Sequence, residues 1–229
     1  MNGFARALHL VGGEFAAPLR AATVRVAAEQ GLCPVLIDLS AWSGGSDVLL
    51  GLEHAPGVRW HDLDGADGEF DADGLFDRLP VGPLGERVLA HDRHAASPVS
   101  DGIVRAAVHA LRLSASLLII DVVSPVASAD IHRAGDGLWV IAGDEVRSTA
   151  AGVAAAQWFS RHGFVHGTLL LGDGVGGSED FDTIDAAVRV GRTDRRDLER
   201  GVLCGRRRSS LRAPAERMIA DLVGSENAA

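Results

Sequence analysis

The chain has 229 residues, 47% hydrophobic and only 5% aromatic, with neither lysine nor tyrosine. That length fits one large domain or two small ones and buries a substantial core. A formal net charge of −9 argues against nucleic acid as a partner. The two cysteines, Cys33 and Cys204, lie far apart and match no metal or redox spacing, which fits a reducing cytoplasm.

Short apolar runs alternate with amphipathic stretches, the pattern of an α/β fold with a mostly parallel sheet and helices on both faces. In chain order the expected elements are strand Ala7–Val11, helix Leu19–Gln30, strand Val35–Leu39, helix Ala72–Leu79 and strand Arg87–Ala90. Helix Gly102–Leu113, strand Leu117–Asp121, helix Ser128–Arg133, strand Leu138–Ala142 and helix Ser148–His162 follow. The series ends with strands Thr168–Leu171 and Ala187–Val190 and helices Arg195–Arg200 and Pro214–Val223. Asp101 is the expected N-cap of the Gly102 helix, and Gly31 and Gly163 are expected C-terminal stops.

Gly51–Gly85 and Gly172–Asp185 are rich in Asp and Gly and are expected to be mostly loop. No repeat or linker divides the chain, so residues 1–205 form one domain. Residues 206–229 add an arginine-rich segment, a helix and a polar tail expected to fray. Met218, Ile219, Leu222 and Val223 share one side of that helix. Glu216, Asp221 and the acidic tail favour docking on the core over a membrane anchor. Met1–Leu10 lacks the layout of a signal peptide, and no apolar run reaches the roughly 20 residues of a membrane span.

Few residues carry recognisable chemistry. The nine histidines include no H-E-x-x-H pattern. His91 and His94, with Asp92 between them, are expected to be solvated loop residues, and no metal site is expected. Ser43-Gly44-Gly45-Ser46 reads as a turn, and Gly172–Gly177, which precedes no convincing helix, is expected to be a mobile loop and not a phosphate cradle. Arg206, Arg207 and Arg208, with Arg212 nearby, form the basic cluster. A solvated loop is its ordinary role; contact with an acidic partner, anionic lipid or nucleic acid is the alternative.

The segment Val35-Leu36-Ile37-Asp38-Leu39-Ser40-Ala41-Trp42-Ser43-Gly44-Gly45-Ser46-Asp47-Val48-Leu49-Leu50-Gly51 is a buried strand ending in a carboxylate, a glycine turn and a short helix. It resembles the second strand and switch I region of the MinD/ParA family of deviant P-loop ATPases. The resemblance is to the CpaE/TadZ-like branch, where Asp-x-Asp, a glycine pair and Asp-x-Leu-Leu-Gly follow the strand. Pro56–Leu63 is similar to actinobacterial CpaE-like proteins, found near Tad-type secretion and pilus genes and in some cases described as septum-site determinants. Leu117–Asp121 resembles the Walker B strand, and Leu138–Ala142 with Glu145–Ala150 resembles the family's next strand and helix. Val190–Gly201 resembles the element near the base-binding edge, with Arg192 where proline is expected. The branch often adds an N-terminal receiver-like domain, and 229 residues are short for that arrangement.

The resemblance places the phosphate loop on Val11–Pro18, and there the chain departs from the family. Gly12 and Gly13 keep the first loop glycines. Phe15 stands at the last loop glycine, Ala16 at the lysine and Ala17 at the magnesium-binding hydroxyl. A register slip restores nothing, because no Ser or Thr precedes Thr23. Phe15 brings a ring into space a phosphate would share, and Glu14 adds a charge that repels a polyanion. Pro18 suits a first helical turn but removes an N–H that would meet phosphate.

In the family, carboxylates like Asp38 and Asp121 handle magnesium and the attacking water; the second Asp of Asp-x-Asp is Ser40 here. The plainer expectation is that Asp38 and Asp121 each cap the adjacent turn. Asp47 caps or starts the short helix. Ser40, Trp42, Gly44, Gly45 and Asp47 make up the switch-like segment, with Trp42 exposed at its turn. The resemblance implies a pseudo-ATPase needing no cofactor, with ATP and magnesium bound only by an altered mode. It implies protein partners in a secretion, pilus or division apparatus, a homodimer across the nucleotide face, and recruitment from the cytoplasm to a pole, septum or inner membrane face. The alternatives are a weak ATPase and a ParA-like module on DNA or a membrane surface.

Overall fold

The computed structural model describes residues 4–13, 16–42, 44–66, 69–122, 124–172, 181, 184–191, 194 and 208–224. Its strands are β1 (Arg6–Val11), β2 (Pro34–Asp38), β3 (Arg87–Leu89), β4 (Leu117–Val122), β5 (Gly137–Gly143), β6 (Gly167–Gly172) and β7 (Ala186–Arg189). The helices are α1 (Ala17–Glu29), α2 (Ser46–Leu50), α3 (Ala72–Asp77), α4 (Asp101–Ser114), α5 (Pro125–Ile131), α6 (Val146–Arg161) and α7 (Arg212–Gly224), with a 3-10 turn at Trp60–Leu63. The strands form one seven-stranded parallel sheet in the order β3-β2-β4-β1-β5-β6-β7.

The central strands are apolar without alternation because both of their faces are covered. Every residue of β2 and β4 is buried. One core packs Leu8, Leu10, Leu36, Leu117 and Ile119 against α1 and α7. The other packs Ala7, Val35, Ile37, Leu118 and Ile120 against α3, α4 and Phe159 of α6. Side chains thus divide between the two cores by strand alternation. The register sets Asp38 beside Asp121 at the C-terminal ends of adjacent strands.

Gly31 and Gly163 take positive φ values of 83° and 77° and end α1 and α6, as their expected role as stops requires. Several boundaries differ from the sequence-based expectation. α4 is capped by Ser100, whose hydroxyl accepts from the Ile103 amide, so Asp101 is its first residue and not its cap. α5 begins at Pro125, earlier than Ser128, because proline fits a first helical turn behind the Ser124 cap. α7 docks on the core through Leu211, Ala215, Met218, Ile219 and Leu222, whereas Val223 is 48% exposed. Among the described residues no helix is long and apolar enough to cross a membrane. The expected helix Arg195–Arg200 and most of Val190–Gly201 lie outside the described residues, as do Arg206, Arg207 and Cys204.

A buried polar network ties β1, α4 and α5 to the turn before β5. Asp136 accepts from both terminal nitrogens of Arg112, from the Ala7 amide and from the Arg133 amide. His9 lies between Asp136 (Nε2–Oδ2, 3.3 Å) and Ser128 (Nδ1–Oγ, 3.0 Å). The series Ser128–His9–Asp136 has the order of a nucleophile triad, but Ser128 and His9 are fully buried and no substrate reaches them. It is therefore a structural brace.

Burial holds the His9 and His132 imidazoles below their ordinary value. The hydrogen bonds from His9 and Arg112 outweigh burial at Asp136 and hold it below the usual carboxylate range. All three groups bind protons more readily when unfolded, so each withdraws stability as pH falls. We expect the contribution of these three groups to the urea midpoint to drop as pH falls below about 6.5, the unfolded histidine value, and to drop further below about 4 as Asp136 protonates in the unfolded chain. His9→Gln, if it folds, shows a shallower decline over the first interval.

Candidate functional site

The site lies at the C-terminal edge of the sheet, where β1, β2 and β4 end beside the start of α1. Gly12 leaves β1 so close to β5 that an added Cβ would stand 2.5 Å from the Ile141 carbonyl oxygen. Sheet packing alone therefore requires this glycine. Gly13 is open, and its carbonyl accepts from the Ala16 amide at 3.0 Å. Ala16, which the family resemblance aligns with the loop lysine, is fully buried in the core beside α1. Ala17 and Pro18 open the helix, with no side-chain cap. Phe15 and Glu14 lie outside the described residues. A cavity of about 840 Å³ opens beside Gly12 and Gly13 toward α5 and α6, lined by Pro125, Val126, Ser148, Ala151 and Trp158 among others.

One residue that pattern reading does not single out organises this edge. Arg20, one turn into α1, is 2% exposed. Its Nη1 donates to Asp121 Oδ2 at 2.7 Å, and its Nη2 donates to the carbonyls of Gly12 at 2.5 Å and Leu10 at 3.4 Å. The expectation that Asp121 caps a turn is corrected: its carboxylate faces a guanidinium, while its main-chain oxygen accepts from the Leu39 amide at 3.4 Å. Asp121 Oδ1 is buried and has no hydrogen-bond partner. Burial pushes the Asp121 carboxyl up, to about 7; Arg20 pulls it down and nearby Asp38 raises it again. Burial likewise lowers Arg20, against the attraction of Asp121 and Asp38. No sequence pattern marks it; the structure does, because Leu19–Ala28 is buried throughout and a charge there requires a counter-ion.

Asp38 does cap its turn. Its two oxygens accept from the Ser40 amide at 2.9 Å and the Ser46 amide at 2.7 Å, bracketing the switch-like loop. The Asp38 carbonyl accepts from Trp60 Nε1 at 2.7 Å. Gly44 and Gly45 both have positive φ, which glycine adopts without strain. Asp47 follows Ser46 at the start of α2, accepts from the Val48 amide and faces Arg59 at 3.7 Å. Arg59 also holds the Leu52 and Ala55 carbonyls, so the loop is tied down on both sides. Trp42 stands 75% exposed at its apex. Val126 and Val146, at the starts of α5 and α6, are also exposed on this edge.

The remaining candidates separate from the site. The expectation that both loop histidines are solvated fails at His91, which is buried against Trp60, and holds at His94, which is exposed. His162 and His166 straddle the turn that ends α6, each facing a nearby carbonyl. Among the described residues no cluster of three or more His, Cys, Asp or Glu could hold a metal. Arg212 is paired with Glu29 and Glu216, which removes it from the expected basic cluster.

The architecture is shared with proteins of known structure. The MinD cell division protein of Aquifex aeolicus superposes with a TM-score of 0.69 at 14% identity, over 94% of this chain and 97% of that one. The Aquifex aeolicus MinC:MinD complex matches at 0.72 with 13% identity, over 94% and 96%. The Cyanothece McdA(D38A)–ATP complex matches at 0.64 with 14% identity, over 97% of each chain. The chain has the MinD/ParA-type P-loop ATPase fold. No protein-family model matches it. Two uncharacterized proteins, from the CDC 1551 and H37Rv strains of Mycobacterium tuberculosis, are each 29% identical over 217 residues. The match covers 91% of this chain and 60% of each of those proteins.

Removing one member of a buried ion pair leaves an uncompensated charge. We expect Arg20→Met to cost about 3–5 kcal/mol in urea denaturation. The deficit should widen from pH 5 to pH 8: Arg20 pulls the Asp121 carboxyl down, so without it the carboxyl is raised further and the variant goes on losing stability above about 7, where the wild type levels off. Trp42→Ala, at an exposed position, should change stability by no more than about 0.5 kcal/mol.

Proposed function

We propose that this protein is a non-catalytic scaffold of the MinD/ParA fold, of the CpaE/TadZ type. In this reading it positions or assembles a Tad-type secretion, pilus or septum apparatus through protein contacts. The single observation that carries the reading is the Arg20–Asp121 pair: the carboxylate at the Walker B position is already engaged by the chain's own cation. The loop supports it from the other side. The residue at the lysine position faces the core, and the residue at the hydroxyl position is an alanine. Neither a phosphate clamp nor a magnesium ligand is supplied at those positions.

What the site offers a partner is surface. Trp42, Val126 and Val146 present apolar area on one edge of the sheet, and exposed aromatic anchors are characteristic of protein contacts. Solved relatives of the fold include a MinD protein in complex with MinC and one named as septum site-determining. We extend that mode of action, partner recruitment at a cell site, to this chain. A homodimer across the same edge belongs to the proposal.

Isothermal titration of the full chain with Mg-ATP tests the central point, and no sub-millimolar binding is expected. A sub-millimolar Kd would overturn the reading. Turnover abolished by Asp121→Ala would replace it with a weak ATPase.

A further inference from the structure

The fold family implies a magnesium ion, bound with nucleotide, at the end of β1. The donor set here does not fit one. Magnesium requires hard oxygen ligands in near-octahedral array. The hydroxyl position is Ala17. Arg20 takes Asp121 Oδ2 and the Gly12 carbonyl. Both Asp38 oxygens accept main-chain N–H groups. Only Asp121 Oδ1 is left without a partner among these oxygens, and it lies on a carboxyl already held by a buried guanidinium that would repel a divalent ion.

We propose that Arg20 is the resident cation of this site, replacing the divalent metal and fixing residues 39–42 and 44–46 of the switch-like loop in one conformation that nucleotide does not control. The chain of contacts is continuous. Arg20 holds Asp121; the Asp121 main chain accepts from Leu39; and Asp38, beside Asp121 in register, closes the loop through Ser40 and Ser46. The charge of Arg20 acts on both carboxylates. Two buried carboxyl groups on adjacent strands would otherwise repel each other. A bound metal comes and goes with its ligand, whereas a side chain on α1 stays. Trp42 is therefore displayed constitutively, and the display is regulated by the amount of protein and by its partner rather than by hydrolysis. This deepens the scaffold reading of the same site and rests on it.

The test is hydrogen exchange of the full chain, followed by mass spectrometry across peptides spanning residues 38–48, together with Mn2+ binding by water proton relaxation. In the wild type, millimolar Mg2+ should leave loop exchange unchanged and Mn2+ should not bind. Arg20→Ser removes the cation and supplies a hydroxyl. It should speed loop exchange by about tenfold or more, leave β5 and β6 protected, and gain Mn2+ binding. If that variant does not fold, the neutral pair Arg20→Gln/Asp121→Asn carries the test, with faster loop exchange expected. Unchanged loop exchange in the folded variant, or sub-millimolar Mn2+ binding to the wild type, overturns the proposal. Metal-free ATP binding to the wild type in EDTA would instead defeat the scaffold reading while leaving the cation assignment standing.

Discussion

The buried pair between Arg20 and Asp121 is the constraint around which the upper edge of the sheet is arranged. It joins the first helix to the central strand β4 and reaches back to the carbonyls that end β1. Two charges removed from water are stable together only when their geometry is good and their remaining polar atoms are met. Here Arg20 makes three hydrogen bonds, while its Nε and Asp121 Oδ1 remain unmet. Such a pair contributes more to defining one arrangement than to net stability. The loop after β2 inherits that definition through Asp38.

The residues that the family resemblance aligns with a phosphate loop have separate physical explanations. Gly12 is required by the close passage of β1 against β5, a constraint unrelated to phosphate. Ala16 turns its methyl group into the core. Pro18 suits the opening turn of α1. Each residue is accounted for by packing or helix initiation. A glycine-rich start to a loop therefore says little about ligands unless the groups that contact a ligand remain.

Much of the sheet was legible in the sequence because buried parallel strands are apolar throughout and short. Residues 117–121 and 35–38 needed no further signal. The loop after Asp38 was legible for the same kind of reason, since glycines at positive φ and a carboxylate at a strand end leave few ways to turn. Arg20 was not legible. An arginine inside a helical stretch usually lies on a solvated face, and only the sheet order brings β4 beside β1, placing Asp121 within reach. The N-cap at Ser100 was missed because adjacent Ser and Asp are nearly equal as caps. Val223 falls on the apolar side of its helix by spacing, yet it is 48% exposed.

The strand order has a further meaning for how the chain acquires its structure. β1 comes before the other strands in sequence but lies between β4 and β5, so its neighbours are more than a hundred residues away along the chain. Closing so long a loop costs chain entropy before any contact repays it, which makes such pairings late and slow. Arg20 can meet Asp121 only after β4 has been made. The central ion pair is then a late event of folding. A nascent chain halted before residue 121 has the helix but not the carboxylate that allows its arginine to be buried.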